Sequence, residues 1–269
     1  MTAAERDIAL QLVEVRDALA QGRFATAEAA AARCAAAAEA YYGKAHPAYA
    51  SAANNLSVAL NQMGKHEEAI KHAEEALQVY EKVLGASHIN TAAALANLGV
   101  LHTGAARRAK GLDRLQQSDA ARSYLEQAMS VRVKLLPAGD PTVAVTMYQL
   151  ATVARLQGKG AEAEKLLREA MAALRASVGP SHPLTATAIN NWGVFLKEAR
   201  RYEEARAAYE EALAVRVRAL GDRHPDTVAV MHNMAELLLA AGDEAGATAM
   251  QERILKLMGA APPASSSPP

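Results

Sequence analysis

A single cysteine, Cys34, stands among 269 residues, so no internal disulfide can form. Its setting, AARCAAAAEA, is an alanine-rich helical stretch, which marks it as a small buried hydrophobe rather than a reactive thiol. A reducing compartment is compatible with that usage. Aromatic residues are only 4% of the chain, so any core must be built from aliphatic side chains and alanine. Neither sign of charge is in excess: Lys+Arg and Asp+Glu total 29 each. That argues against a protein that coats nucleic acid or an anionic membrane, both of which need a basic surplus. No window approaches the ~18 uninterrupted apolar residues of a membrane span. The opening MTAAERDIAL has early acids and no apolar core segment, unlike a secretory signal. A cytoplasmic location is expected, or an organellar one if a presequence has been removed.

What is present is helical. Apolar residues make up 51%, much of it alanine, the best helix former, and β-branched runs are scarce. A boundary recurs at His46-Pro47, His88-Ile89, Asp140-Pro141, His182-Pro183 and His224-Pro225, with spacings of 42, 52, 42 and 42 residues. Proline at a first helical position is pre-set for helix, and aspartate in the histidine column suggests that the column is an N-cap. Those histidines are punctuation, not ligands. Each unit then reads as two helices, the first ending near Gly64, Ala106, Gly158, Arg200 or Gly242, the second near Gly85, Pro137, Gly179 or Gly221. Glycine past a helix end is the usual terminator.

Stepping back by 42 from Gly64 and Gly85 gives Gly22 and Gly43, so residues 1–43 are expected to be a diverged N-terminal pair. Residues 44–222 give four units, with an inserted turn near 104–116 that accounts for the ten extra residues. Residues 223–258 form a C-terminal capping pair, and 259–269 a disordered tail with nothing to bury. The predicted fold class is all-α: about six helix pairs stacked into a right-handed α-α superhelix, because one pair cannot bury its apolar face alone.

The repeat columns separate packing from surplus. Leu56, Leu98, Leu150, Trp192 and Met234 form an apolar column, so Trp192 is expected in the core with Ala188, Phe195 and Ala199. Ala69, Ala121, Ala163, Ala205 and Ala247 are invariantly small, which permits close helix approach, and a third column runs Ala76, Ala128, Ala170, Ala212 and Ile254. One column does not fit packing: Asn55, Asn97, Gln149, Asn191 and Asn233, preceded by Asn54, Ala96, Tyr148, Asn190 and His232. Asparagine is a poor helix former. A carboxamide offers both donor and acceptor, which suits the backbone of an extended peptide lying along the first helices. The competing reading is that each amide bonds the adjacent repeat and fixes its geometry. Both can hold.

The stretches HPAYASAANNLSVAL and HPLTATAINNWGVFL, with the later YEEA and AEEA segments, resemble tetratricopeptide repeats (TPRs) of the kinesin light chain type, with its 42-residue units and HPxxA, NNLA and YxEA signatures. The likeness covers residues 45–258 and extends weakly to residue 3. It implies a non-enzymatic interaction scaffold, with a partner segment lying against Asn55, Asn97, Asn191 and Asn233. Gln149 departs from the motif. The heptad coiled coil of a kinesin light chain is absent, so the likeness is to the repeat domain. A carboxylate clamp, as in chaperone-binding TPRs, is not expected, because the column three after the amides reads Val58, Val100, Thr152, Val194 and Glu236.

Arg155 and Lys197, toward the helix ends, are read as solvated or as receivers of an acidic side chain. Arg107, Arg108, Lys110 and Arg114 make a basic patch on the insertion; without aromatic stacking partners it suits a protein contact or an inert loop better than nucleic acid. No zinc-protease helix, phosphate-binding loop or Ser/His/Asp set is found, and no cofactor or metal is expected. The expected function is an adaptor that binds another protein, monomeric by itself. The alternative is a constitutive subunit or assembly factor of a large complex, working through its edges and the insertion.

Overall fold

The computed structural model describes residues 2–259. Among them are twelve α-helices and no strand: α1 Ala3–Ala20, α2 Phe24–Tyr42, α3 Pro47–Gln62, α4 His66–Leu84, α5 Ile89–Arg108, α6 Gly111–Leu135, α7 Pro141–Leu156, α8 Gly160–Ser177, α9 Pro183–Glu198, α10 Tyr202–Leu220, α11 Pro225–Ala240 and α12 Glu244–Met258. They form the six expected pairs. The tail expected at 259–269 lies outside the described residues from 260 onward. The chain divides into two compact units within α8, between Leu166 and Leu167.

In the first unit, α1 through α7 pack each on the next, and the first helices also touch one another: α1 on α3, α3 on α5 and α5 on α7. One continuous core runs from Ile8 to Val153 and is made largely of alanine and leucine. In the second unit α9, α10, α11 and α12 repeat the pattern, with α9 against α11. The small columns are buried as expected: Ala69, Ala121, Ala163 and Ala205 show no exposure, and Ala247 only 1%.

The histidine column caps the first helices. In His46, His88, His182 and His224 the Nδ1 atom accepts the backbone N–H two residues on, at 3.1 Å in each case. Asp140 does the same with a carboxylate oxygen, at 2.8 Å from Thr142 N. Each ring therefore carries its proton on Nε2, because Nδ1 must present a lone pair. Three threonines lock the preceding turn: the hydroxyls of Thr91, Thr185 and Thr227 donate to the carbonyls of Gly85, Gly179 and Gly221, each at 2.8 Å.

A second device is size compensation inside a pair. Where the second helix presents the large Leu125 or Tyr209, the first helix presents Gly99 or Gly193. A Cβ on Gly99 would stand 2.5 Å from Leu125, and one on Gly193 2.6 Å from Tyr209. Those glycines make room for side chains, which offsets their cost in a helix interior.

The insertion near 104–116 corrects the expectation of a lengthened turn. α5 has 20 residues where α3, α7, α9 and α11 have 16, and α6 has 25 where α4 and α10 have 19. The four and six added residues absorb the whole insertion as helix, leaving only Ala109 and Lys110 between α5 and α6. Continued helix pairs more of the added backbone N–H and C=O groups than a ten-residue loop, which would leave them to water.

Candidate functional site: the amide column

The amide column lies on the first helices, all five members half-buried, but the structure divides it into two kinds. Asn97 uses both amide hydrogens inside the protein, donating to Asn54 Oδ1 at 3.0 Å and to Ser57 Oγ at 2.9 Å, both on the preceding first helix. In the second unit Asn233 donates to Asn190 Oδ1 at 2.9 Å. These are rivets between neighbouring repeats, reaching back 43 residues. The mixed character of the preceding column now has a reason: asparagine stands at 54 and 190 where the next repeat reaches back to it. Ala96 offers no such acceptor to the Gln149 amide hydrogens, and Gln149 Oε1 is buried without a donor.

Asn55 and Asn191 behave otherwise. Neither amide makes a hydrogen bond among the described residues, and both are half-buried beside a neighbour, Asn54 or Asn190, that is engaged. Neither amide is among the buried atoms left without a partner, so both reach solvent and can exchange water for the donor and acceptor of another chain.

The other expected groove residues are committed elsewhere. Lys197 Nζ holds Glu236 at 2.6 Å and is itself only 17% exposed. Arg155 is half-buried and engaged within the protein. Trp192 also departs from expectation. Its column is otherwise core, with Leu56, Leu98, Leu150 and Met234 all buried, yet the indole is only half-buried and Ala199 is exposed. An indole is larger than the leucine its column accommodates, so its edge emerges. It stacks on Phe195 with 5.3 Å between centroids, and the guanidinium groups of Arg168 and Arg201 lie over it at 5.4 and 5.6 Å. That cation–π cover shields the ring from water.

The basic residues of the insertion sit on the helical extension. Arg107, Arg108, Lys110 and Arg114 are all exposed. Arg107 is engaged within the protein, and Arg114 donates to the Leu156 carbonyl at 3.4 Å, at the negative end of α7. Beside the extension lies an open cleft of about 720 Å³ between the α3–α4 turn and the α5–α6 junction. Its walls mix Lys65, Lys71 and Arg108 with Glu67, Glu68 and Asp113. His66, on that wall, has its pKa lowered by loss of solvent and then by Arg108.

Elsewhere charge is structural. Arg122 clamps Glu162 at 2.7 and 3.2 Å and reaches Gln157 at 2.8 Å, tying α6 to the α7–α8 junction; the clamp holds the Glu162 carboxyl below its usual range. Cys34 is buried, and loss of solvent, then the nearby Asp7 charge, pushes its thiol up to about 11. No cluster of three or more His, Cys, Asp or Glu side chains among the described residues is placed to hold a metal ion. No described helix is long and apolar enough to cross a membrane.

The tetratricopeptide-repeat family model matches residues 12–77, 52–118, 107–176, 142–191 and 184–260, almost the whole chain. The protein belongs to the tetratricopeptide-repeat family. No curated protein matches its sequence. Among solved structures it is similar to nearly identical TPR-like repeats of a kinesin light chain-like protein from Podospora anserina, at 22% identity over 80% of this chain and 97% of that one, TM-score 0.54. It is similar also to BtubC (BKLC) of P. vanneervenii, at 21% identity over 100% and 98%, TM-score 0.58. A third is the Rap conjugation gene regulator of plasmid pLS20 in complex with the Phr* peptide, at 15% identity over 91% and 63%, TM-score 0.66. At these identities the likeness is one of fold. TPR folds of this type are typical protein–protein interaction scaffolds.

Proposed function

We propose that the protein is a non-enzymatic adaptor in which the amides on the first helices of each unit, taken by itself, hold an extended segment of another protein. The observation that carries this reading is the pair of idle amides, Asn55 in the first unit and Asn191 in the second. Each sits next to an asparagine already spent on its neighbour. A peptide backbone supplies both the acceptor and the donor that such an amide needs, and each neutral hydrogen bond adds only about 1 kcal/mol. Recognition is therefore modest per contact and distributed. One protein of similar fold, the Rap conjugation gene regulator of plasmid pLS20, is in complex with a peptide, Phr*, which supports the reading that this fold can hold one.

The division within the column sharpens the experiment. Asn55→Ala/Asn191→Ala removes amides that bond nothing in the protein, so its folding stability should match wild type. Affinity purification from native extract, read by mass spectrometry, should lose partners in this variant while retaining those held by other surfaces. Full retention of every partner would overturn the proposal.

A further inference from the structure

The ten residues that break the 42-residue period build something no other repeat has. α5 and α6 run beyond their counterparts, and residues 110–116 are exposed throughout. Leu112 is 76% exposed and Leu115 51%. They stand three apart on one helix, hence on one face. Asp113 and Gln117, four apart, line the cleft on another side of the same helix. The α6 sequence therefore shows two leucines to solvent on a rigid element, where a loop could have turned them away.

The charges next to them in the chain are mostly of one sign. Within residues 107–115 the exposed Arg107, Arg108, Lys110 and Arg114 stand against one acid, Asp113, in a chain whose overall charge is zero. An apolar pair flanked in the chain by cations on a helical tip is complementary to a helix that carries leucine-like side chains flanked by carboxylates. The geometry points to the α5–α6 extension as a second docking element, which takes an acidic amphipathic segment of a partner protein. Two leucines on one face of a helix match the single apolar stripe of a helical segment, and a membrane surface is the alternative that the vesicle measurement below separates. The element is separate from the amide column and does not rest on its use.

The test uses the full chain and two synthetic amphipathic peptides with one leucine face, flanked by glutamate in one and lysine in the other. Fluorescence anisotropy should show the glutamate peptide bound at least ~10-fold more tightly than the lysine peptide, weakening as salt is raised. Leu112→Ser/Leu115→Ser should cost at least ~10-fold, as expected for two leucines lost from an interface. Because both side chains are exposed, its thermal midpoint should stay at the wild-type value. Arg108→Glu/Lys110→Glu should reverse the preference toward the lysine peptide, and Asn55→Ala/Asn191→Ala should change nothing. Equal affinity for the two peptides, or binding unaltered by the leucine substitutions, overturns the inference. So does sedimentation with phosphatidylserine vesicles in the absence of glutamate-peptide binding, which would make the tip a membrane element.

Discussion

Replacing Gly193 by alanine sets two physical effects against each other with opposite signs. In a solvent-facing helix interior the change stabilises, by about 0.5–1 kcal/mol, because glycine loses more backbone freedom on folding. Here the added methyl would lie 2.6, 2.8 and 3.1 Å from Cε1, Cδ1 and Cζ of Tyr209. Comfortable carbon contacts lie near ~3.5–4.0 Å, so the overlap is about 1 Å. Tyr209 has no exposed surface and cannot swing into solvent. Overpacking of this kind costs about 1–3 kcal/mol, which exceeds the propensity gain and leaves a net loss of ~0.5–2 kcal/mol. Trp192, the only tryptophan, is the adjacent residue, so denaturant unfolding followed by its fluorescence reads the right region. Gly104→Ala is the control. There the nearest atom is the mobile end of Arg108 at 3.4 Å, and followed by circular dichroism the change should stabilise by about 0.5–1 kcal/mol. In a Tyr209→Leu background the penalty at Gly193 should shrink, a coupling that a double-mutant cycle measures directly. A Gly193→Ala protein as stable as wild type would refute the size-compensation argument.

Arg200 has a φ of 59°, the only positive value outside glycine among the described residues, at the turn where other repeats place Gly22, Gly64, Gly158 and Gly242. Arg200→Gly should raise stability by about 1 kcal/mol, measured by chemical denaturation. Asn97→Ala should lower stability by ~1 kcal/mol through the loss of two bonds to the preceding repeat, while Asn55→Ala should not; equal effects would dissolve the distinction between rivets and idle amides. With its pKa raised to about 11 and its side chain buried, Cys34 should resist a thiol reagent at pH 8 and react at the rate of unfolding. Because Arg122 lowers the Glu162 pKa, that carboxylate contributes stability above its ordinary titration range and loses it as pH falls through the lowered value. Glu162→Gln should therefore flatten the acid limb of a stability–pH curve below about pH 5.

The architecture was legible in the chain before any folding, because repeat, cap and terminator are written in local chemistry. A His-Pro or Asp-Pro boundary every 42 residues, glycine at helix ends and alanine at the tight columns each act within one or two turns. Their periodic recurrence left twelve helices in six pairs as the consistent reading. The amide column was visible for the same reason, as a polar residue where packing favours an apolar one. Its division was not. Whether Asn97 is spent and Asn55 idle depends on what stands 43 residues earlier on the neighbouring helix, a distance that repeat columns spaced by 42 do not bring into line. The exposure of Trp192 likewise follows from the size of the space between helices. The ten extra residues became helix because paired extension satisfies their backbone better than a loop does. The match of Gly193 to Tyr209 is a property of two surfaces in contact, and only the tertiary structure brought those surfaces together.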